Sequence, residues 1–113
     1  MKTDKALLLL AAKACNLNVK YISLDADDNV SGLIVGEKNT KNKTKWSPLT
    51  DDGDALRLAV KLKFDVMTRW GEPNAAVLDQ EGNFTMQADV DLDMRAATRR
   101  AIVRAAAAIG EKL

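Results

Sequence analysis

The sequence predicts a single α+β domain: three helices and a mainly antiparallel sheet of four to five strands. Three observations carry this. The chain has 113 residues, the length of one domain and enough to bury roughly 65% of its extended-chain surface. With 47% apolar and 29% charged residues, its composition is that of an ordinary globular protein and not of a disordered one. Apolar residues recur at helical spacing in three stretches, and between them alternate in short runs bounded by turn residues. No internal repeat and no second domain is evident, so residues 1–113 read as one unit.

Thr3 or Asp4 can cap a first helix over about 4–15, and Asn16 suits its close. Lys2, Lys5 and the run Ala6 to Ala12 imitate an export signal, and Ala14-Cys15 imitates a lipoprotein cleavage site. The apolar run is only seven residues long, at the lower limit for a signal core and far short of the roughly 20 of a spanning helix. A buried first helix, no membrane span and a cytoplasmic location are therefore expected. Asn18 to Leu24 reads as a strand, Asp25 to Asn29 as a turn and Gly32 to Gly36 as the returning strand of a hairpin. A basic loop over about 37–47 follows. Thr50 or Asp51 caps a second helix over about 51–63. Phe64 to Trp70 alternates as a strand, Gly71-Glu72-Pro73-Asn74 is a turn, and Ala75 to Asp79 and Phe84 to Val90 are two more strands. Asp91 or Asp93 opens an alanine-rich closing helix over about 92–110, with Gly110 as its stop.

The three helices differ in their faces. At 100° per residue the second helix gathers Ala55, Leu56, Leu58, Ala59, Val60 and Leu62 on one side, with Arg57 and Lys61 opposite. The last gathers Ala97, Ala101, Ala105, Ala108 and Ile109, away from Arg95, Arg99, Arg100 and Arg104. In the first, Leu7, Leu8, Leu9 and Leu10 point all round the axis, so it is buried on more than one side. A second copy meeting these leucines makes a homodimer; the alternative is that the hairpin and basic loop fold over them.

Charge and composition exclude several chemistries. Seventeen Lys and Arg against 16 Asp and Glu leave a formal charge of +1, no global pull towards nucleic acid or anionic membrane. There is no His and one Cys, which removes imidazole dyads, His-ligated or Cys-only zinc and any internal disulfide. Asp51, Asp52 and Asp54 read as a charged helix entrance behind Pro48, with a cation site as the competing account. Asp25-x-Asp27-x-Asn29 starts like a calcium loop, but Val30 and Gly36 stand where that loop needs Gly and Glu. Asp89-x-Asp91-x-Asp93 puts three carboxylates on one face of an extended chain, just where a helix begins. Lys38, Lys41, Lys43 and Lys45 followed by Trp46 could grip phosphates and stack a base. The segment lacks Arg, however, and Asp51, Asp52 and Asp54 balance its charge, so a solvated loop and no specific nucleic acid are expected. Cys15 reads as a buried, inert thiol, and Phe64, Val66, Thr68 and Trp70 as one core face. No catalytic residue, metal site or cofactor is assigned.

The segment from Trp46-Ser47-Pro48-Leu49-Thr50-Asp51 through Ala55 to Leu62, together with Ala97-Thr98-Arg99-Arg100-Ala101-Ile102-Val103-Arg104-Ala105-Ala106, resembles the phage ABA-sandwich domain family. The likeness covers the C-terminal two thirds, and departs from the family pattern at Asp52-Gly53-Asp54 and in the longer basic loop. It implies a helix/sheet/helix fold and a viral or prophage origin in the host bacterial cytoplasm, and carries over no activity. The expected function is thus that of a phage accessory protein that binds, as a homodimer, and modulates host machinery through a protein partner. A different class, binding or sequestering a nucleotide-like anion, would use Lys41, Lys43, Lys45, Trp46, Arg99 and Arg104. An orphan enzyme with an acidic metal site is the third class.

Overall fold

A computed structural model describes residues 2–68, 74–88 and 93–113. Its order is α1 (Asp4–Ala14), β1 (Val19–Leu24), β2 (Val30–Val35), β3 (Thr44–Trp46), α2 (Asp52–Lys61), β4 (Asp65–Met67), β5 (Asn74–Leu78), β6 (Phe84–Ala88) and α3 (Met94–Glu111). Among the described residues the strands do not form one sheet of four or five. They form two three-stranded antiparallel sheets, β1-β2-β3 and β4-β5-β6. The extra strand comes from the end of the expected basic loop, where Thr44 and Trp46, good strand residues, pair with Val35 and Leu33.

Local chemistry sets the helix ends. Thr3, Asp51 and Asp93 are the three N-caps, each accepting the N–H three residues on: Ala6 at 3.2 Å, Asp54 at 2.8 Å and Ala96 at 2.8 Å. Asn16 and Lys63, both at positive φ, close α1 and α2. In each, the next residue reaches back: Leu17 N–H to Ala12 O and Phe64 N–H to Ala59 O, both 2.9 Å. These six-to-one bonds satisfy otherwise orphaned carbonyls and aim the chain into the following strand.

A repeat missed in the sequence emerges at the hairpins. Leu24-Asp25-Ala26-Asp27-Asp28-Asn29-Val30-Ser31 and Leu78-Asp79-Gln80-Glu81-Gly82-Asn83-Phe84-Thr85 build the same turn. Asp25 Oδ1 accepts from the N–H groups of Asp27 and Asn29 at 2.9 and 3.0 Å, and Asp79 Oδ1 from those of Glu81 and Asn83 at 2.9 Å each. Asp28 and Gly82 take the positive φ each turn needs. The chain is therefore two successive helix-plus-meander units followed by α3, and Asp25-x-Asp27 is a turn.

The last helix is the centre of the molecule. α1, α2, β5 and β6 all pack on α3, and α1 also touches β2. Ala97, Ala101, Ile102, Val103, Ala105, Ala106 and Ala107 are buried, while Ala108 is exposed. Gly110 does not stop this helix; it lies within it. A Cβ there would come within 1.9 Å of Leu10 O, so the glycine exists to let the α3 backbone touch that of α1. Leu7 and Leu8 are buried by this packing at 7% and 2% exposure, and Leu10 is partly covered. Of the four leucines expected to meet a second copy, Leu7 and Leu8 are thus taken up within the chain: α3 and β2 flank α1, and among the four only Leu9 is exposed, at 36%.

The second helix also departs from expectation. Ala55, Leu58 and Ala59 are buried, but Leu56 and Val60 face outward at 64% and 67% exposure. Val66 and Thr68 are likewise not core, and Phe64 packs on the core from just before β4. Trp70, the turn over 71–73 and residues 89–92, including Asp89 and Asp91, lie outside the described residues.

Two outcomes follow. Gly to Ala in a helix interior ordinarily stabilises by about 1 kcal/mol, but Gly110→Ala must drive two backbones apart and should destabilise by about 2–3 kcal/mol. Urea unfolding of the two proteins measures this, and an equal or higher stability would show that the helices do not touch there. The Ala96 N–H holds the Asp93 carboxyl below its usual range. At Asp79 desolvation is the largest single influence and pushes upward, but the hydrogen bonds from Asn83 and Glu81 and the charge of Lys112 together outweigh it, again lowering the value. A depressed folded-state pKa gives stability that is complete above the unfolded value of about 4 and lost as pH falls below it. Asp93→Asn keeps the cap without titrating, so its melting temperature should fall less steeply than the parent's in that acid range.

Candidate functional site

Sheet β4-β5-β6 lies under α3, and its register places Val66, Val77 and Thr85 in one row across the three strands. Val77, on the central strand, is fully buried. α3 therefore runs over β5 and leaves a depression on either flank, one towards β4 and one towards β6.

The flank towards β6 is a cleft of about 570 Å³ lined by Lys2, Leu7, Thr85, Gln87, Arg100, Arg104, Ala107, Ala108 and Glu111. Leu7 and Ala107 make an apolar floor and Thr85 and Gln87 a polar wall. Three of the lining residues are cations and one is an anion. Arg100 and Arg104 stand one helical turn apart, so both guanidiniums belong to the same face of α3. Arg100 donates to both oxygens of Asp4, at 2.9 and 3.4 Å. Arg104 donates to Gln87 Oε1 at 2.8 Å, and Lys2 pairs with Glu111 at 2.9 Å across the mouth.

The flank towards β4 is an open groove of about 320 Å³ walled by Ala55, Leu56, Val66, Thr68, Met94, Thr98 and Ile102, with Asp52, Arg95 and Arg99 at its rim. Arg99 is not poised for a ligand. Its Nε donates to Leu49 O at 3.0 Å and its other end pairs with Asp52. That tie joins the entrance of α2 to α3.

The expected ligand set is thus divided. Arg99 and Arg104, five residues apart, lie about 140° apart around the axis, on opposite flanks. Trp46 is buried at 8% exposure in a row with Leu33 and Ile22, so it stacks in the core and is unavailable to a base. Lys41, Lys43 and Lys45 are exposed on the β2–β3 connection and β3, and line neither depression. Of the four arginines of α3 that could together hold an anion, only Arg100 and Arg104 share this cleft, one turn apart, and Lys2, which nothing in the sequence pointed to, joins them.

The acidic entrance of α2 resolves into separate tasks. Asp51 caps the helix. Asp54 accepts from Ser47 N–H at 2.9 Å and from Arg57 at 2.7 Å, and Asp52 pairs with Arg99. Among the described residues no group of three or more His, Cys, Asp or Glu side chains could hold a metal ion. Cys15 is buried, its thiol pushed up by desolvation against a weaker pull from Lys61, and Sγ donates to Ala11 O at 3.3 Å. A raised thiol pKa leaves little thiolate to act as a nucleophile. Among the described residues no helix is long and apolar enough to cross a membrane.

No family model matches the chain, and neither a curated protein nor a solved structure matches it.

Proposed function

We propose that the chain is a phage or prophage accessory protein that works by binding a small phosphorylated ligand in the cleft between α3, β6 and the start of α1. The observation that carries this is Arg100 and Arg104 side by side over an apolar floor, in a space of about 570 Å³, within the usual range of small-molecule sites. The viral origin rests on the resemblance of Trp46–Leu62 and Ala97–Ala106 to the phage ABA-sandwich family. Singly charged carboxylates, Asp4 and Glu111, hold Arg100 and Lys2 from the rim. A phosphate monoester carries nearly two charges at neutral pH, so it can displace a carboxylate where another carboxylate has no advantage. Thr85 and the Gln87 amide add neutral hydrogen-bonding groups, and Leu7 and Ala108 accept a flat apolar body.

Isothermal titration with inorganic phosphate, adenosine monophosphate and acetate tests this reading. Adenosine monophosphate should bind more tightly than phosphate, and acetate should give no heat. Arg100→Gln and Arg104→Gln should each weaken binding about tenfold or more, the worth of a charge-assisted hydrogen bond. Absence of binding at about 1 mM nucleotide, a threshold of roughly 4 kcal/mol, sinks it.

A second reading, self-association, is favoured by the exposed apolar strip of Leu56, Val60 and Val66. The homodimer interface then moves from α1 to α2 and β4. Sedimentation at about 100 μM, where weak dimers form, should give a dimer that Leu56→Asp converts to a monomer. A monomeric parent protein removes this reading and leaves the cleft untouched.

A further inference from the structure

The β1-β2-β3 sheet carries a second, independent surface. Its register places Tyr21, Ile34 and Lys45 side by side across the three strands. The adjacent row, Ile22, Leu33 and Trp46, packs into the core. The two rows point to opposite faces, so Tyr21 and Lys45 share the outer one. Tyr21 is 50% exposed. Lys43 Nζ lies 3.1 Å from its hydroxyl and 5.5 Å from the ring centroid, which puts the ammonium beyond the hydroxyl end of the ring and not over its face. Lys38, Lys41 and Lys43 crowd the β2–β3 connection at the same end of the sheet, and Lys20 reaches Thr40 O across it.

The charge of this surface is not cancelled. Between Asp28 and Asp51 the only acidic residue is Glu37. Asp25, Asp27 and Asp28 sit at the far end of the β1–β2 hairpin, about 13 Å along the strand from Tyr21. Asp51, Asp52 and Asp54, which in the sequence balance the lysines, are committed to the α2 cap, to Arg99 and Arg95, and to Ser47 and Arg57. Among the described residues no ion pair joins a carboxylate to Lys20, Lys38, Lys41, Lys43 or Lys45.

We propose that the outer face of β1-β2-β3 binds single-stranded nucleic acid without sequence preference, with Tyr21 stacking a base and Lys41, Lys43, Lys45 and Lys20 holding the flanking phosphates. The exposed ring decides between polyanions. Lysines alone suit any of them, but an aromatic at their centre rewards a planar base. A row of exposed side chains across an open sheet face suits an unpaired strand, whose bases are free to stack, and not a duplex, whose bases are paired away.

Fluorescence anisotropy with labelled oligothymidylate of about 12 nucleotides, a length within the usual site size, is the test. Binding should weaken with salt along a log–log slope near −3, about 0.7 for each of four phosphates. Tyr21→Ala should weaken it at least about fivefold with the slope unchanged. Lys43→Gln with Lys45→Gln should lower the slope by about 1.4. Arg104→Gln should bind as the parent does, which separates this surface from the α3 cleft. All the substituted residues at this face lie at the surface, and circular dichroism confirms that the variants are folded. No anisotropy change at low salt overturns the proposal. So does equal binding of polyglutamate with no effect of Tyr21→Ala, which would assign the face to an acidic protein.

Discussion

The contact of the α1 and α3 backbones at Leu10 and Gly110 is the constraint on which the rest of this fold depends. Only a residue without a Cβ allows that approach, and the buried alanines of both helices, Ala11, Ala12, Ala106 and Ala107, belong to the same core and let α1 and α3 pack closely. Small side chains bury little area each, so the gain comes from dense packing over many atoms. Because β2 rests on α1 while β5 and β6 rest on α3, this one helix pair couples the two sheets. It also brings Lys2 and Leu7 beside Arg104, Ala107 and Glu111, and so makes the basic cleft.

The two flanks of α3 owe their opposite characters to the same sheet row. Val66, Val77 and Thr85 run across β4, β5 and β6, apolar at one end and polar at the other. α2 adds Ala55 and Leu56 to the apolar side; the start of α1 adds a lysine to the polar side. A helix lying over the middle strand then needs only its own periodicity to sort Ile102 to one groove and Arg100 and Arg104 to the other.

Electrostatics in this protein is a matter of allocation. The formal charge is +1, yet Arg95 and Arg99 pair with Asp52, Arg100 pairs with Asp4, and Asp51 and Asp54 serve the α2 cap and Arg57. Among the described residues no ion pair joins a carboxylate to the lysines of the first meander. A nearly neutral chain thereby keeps a cationic face, because pairing depends on which charges the fold brings within a few ångströms and not on their sum.

What could be read from the residues was local. Thr3, Asp51 and Asp93 announce helix starts because each offers a short side-chain oxygen to free N–H groups, and Asn16 announces an end because it tolerates positive φ. The hairpin at Asp25 was legible for similar reasons, although its recurrence at Asp79 was missed because the intervening residues differ. Hydropathy could not say which way Trp46 and Tyr21 face. Both lie in strands where neighbours alternate sides, and only the pairing register decides which side is core. Nor could it tell that Gly110 is a contact and not a stop, since the partner, Leu10, is 100 residues away. The sequence by itself narrowed each helix cap to two candidates and determined the hairpin turn at Asp25 and the sum of the charges, all set by neighbours within a few positions. The tertiary structure alone decided the split into two sheets, the covering of Leu7 and Leu8 by α3 and β2, and the separation of Arg99 from Arg104. Those depend on long-range packing, in which a residue's role is set by whatever the fold lays against it.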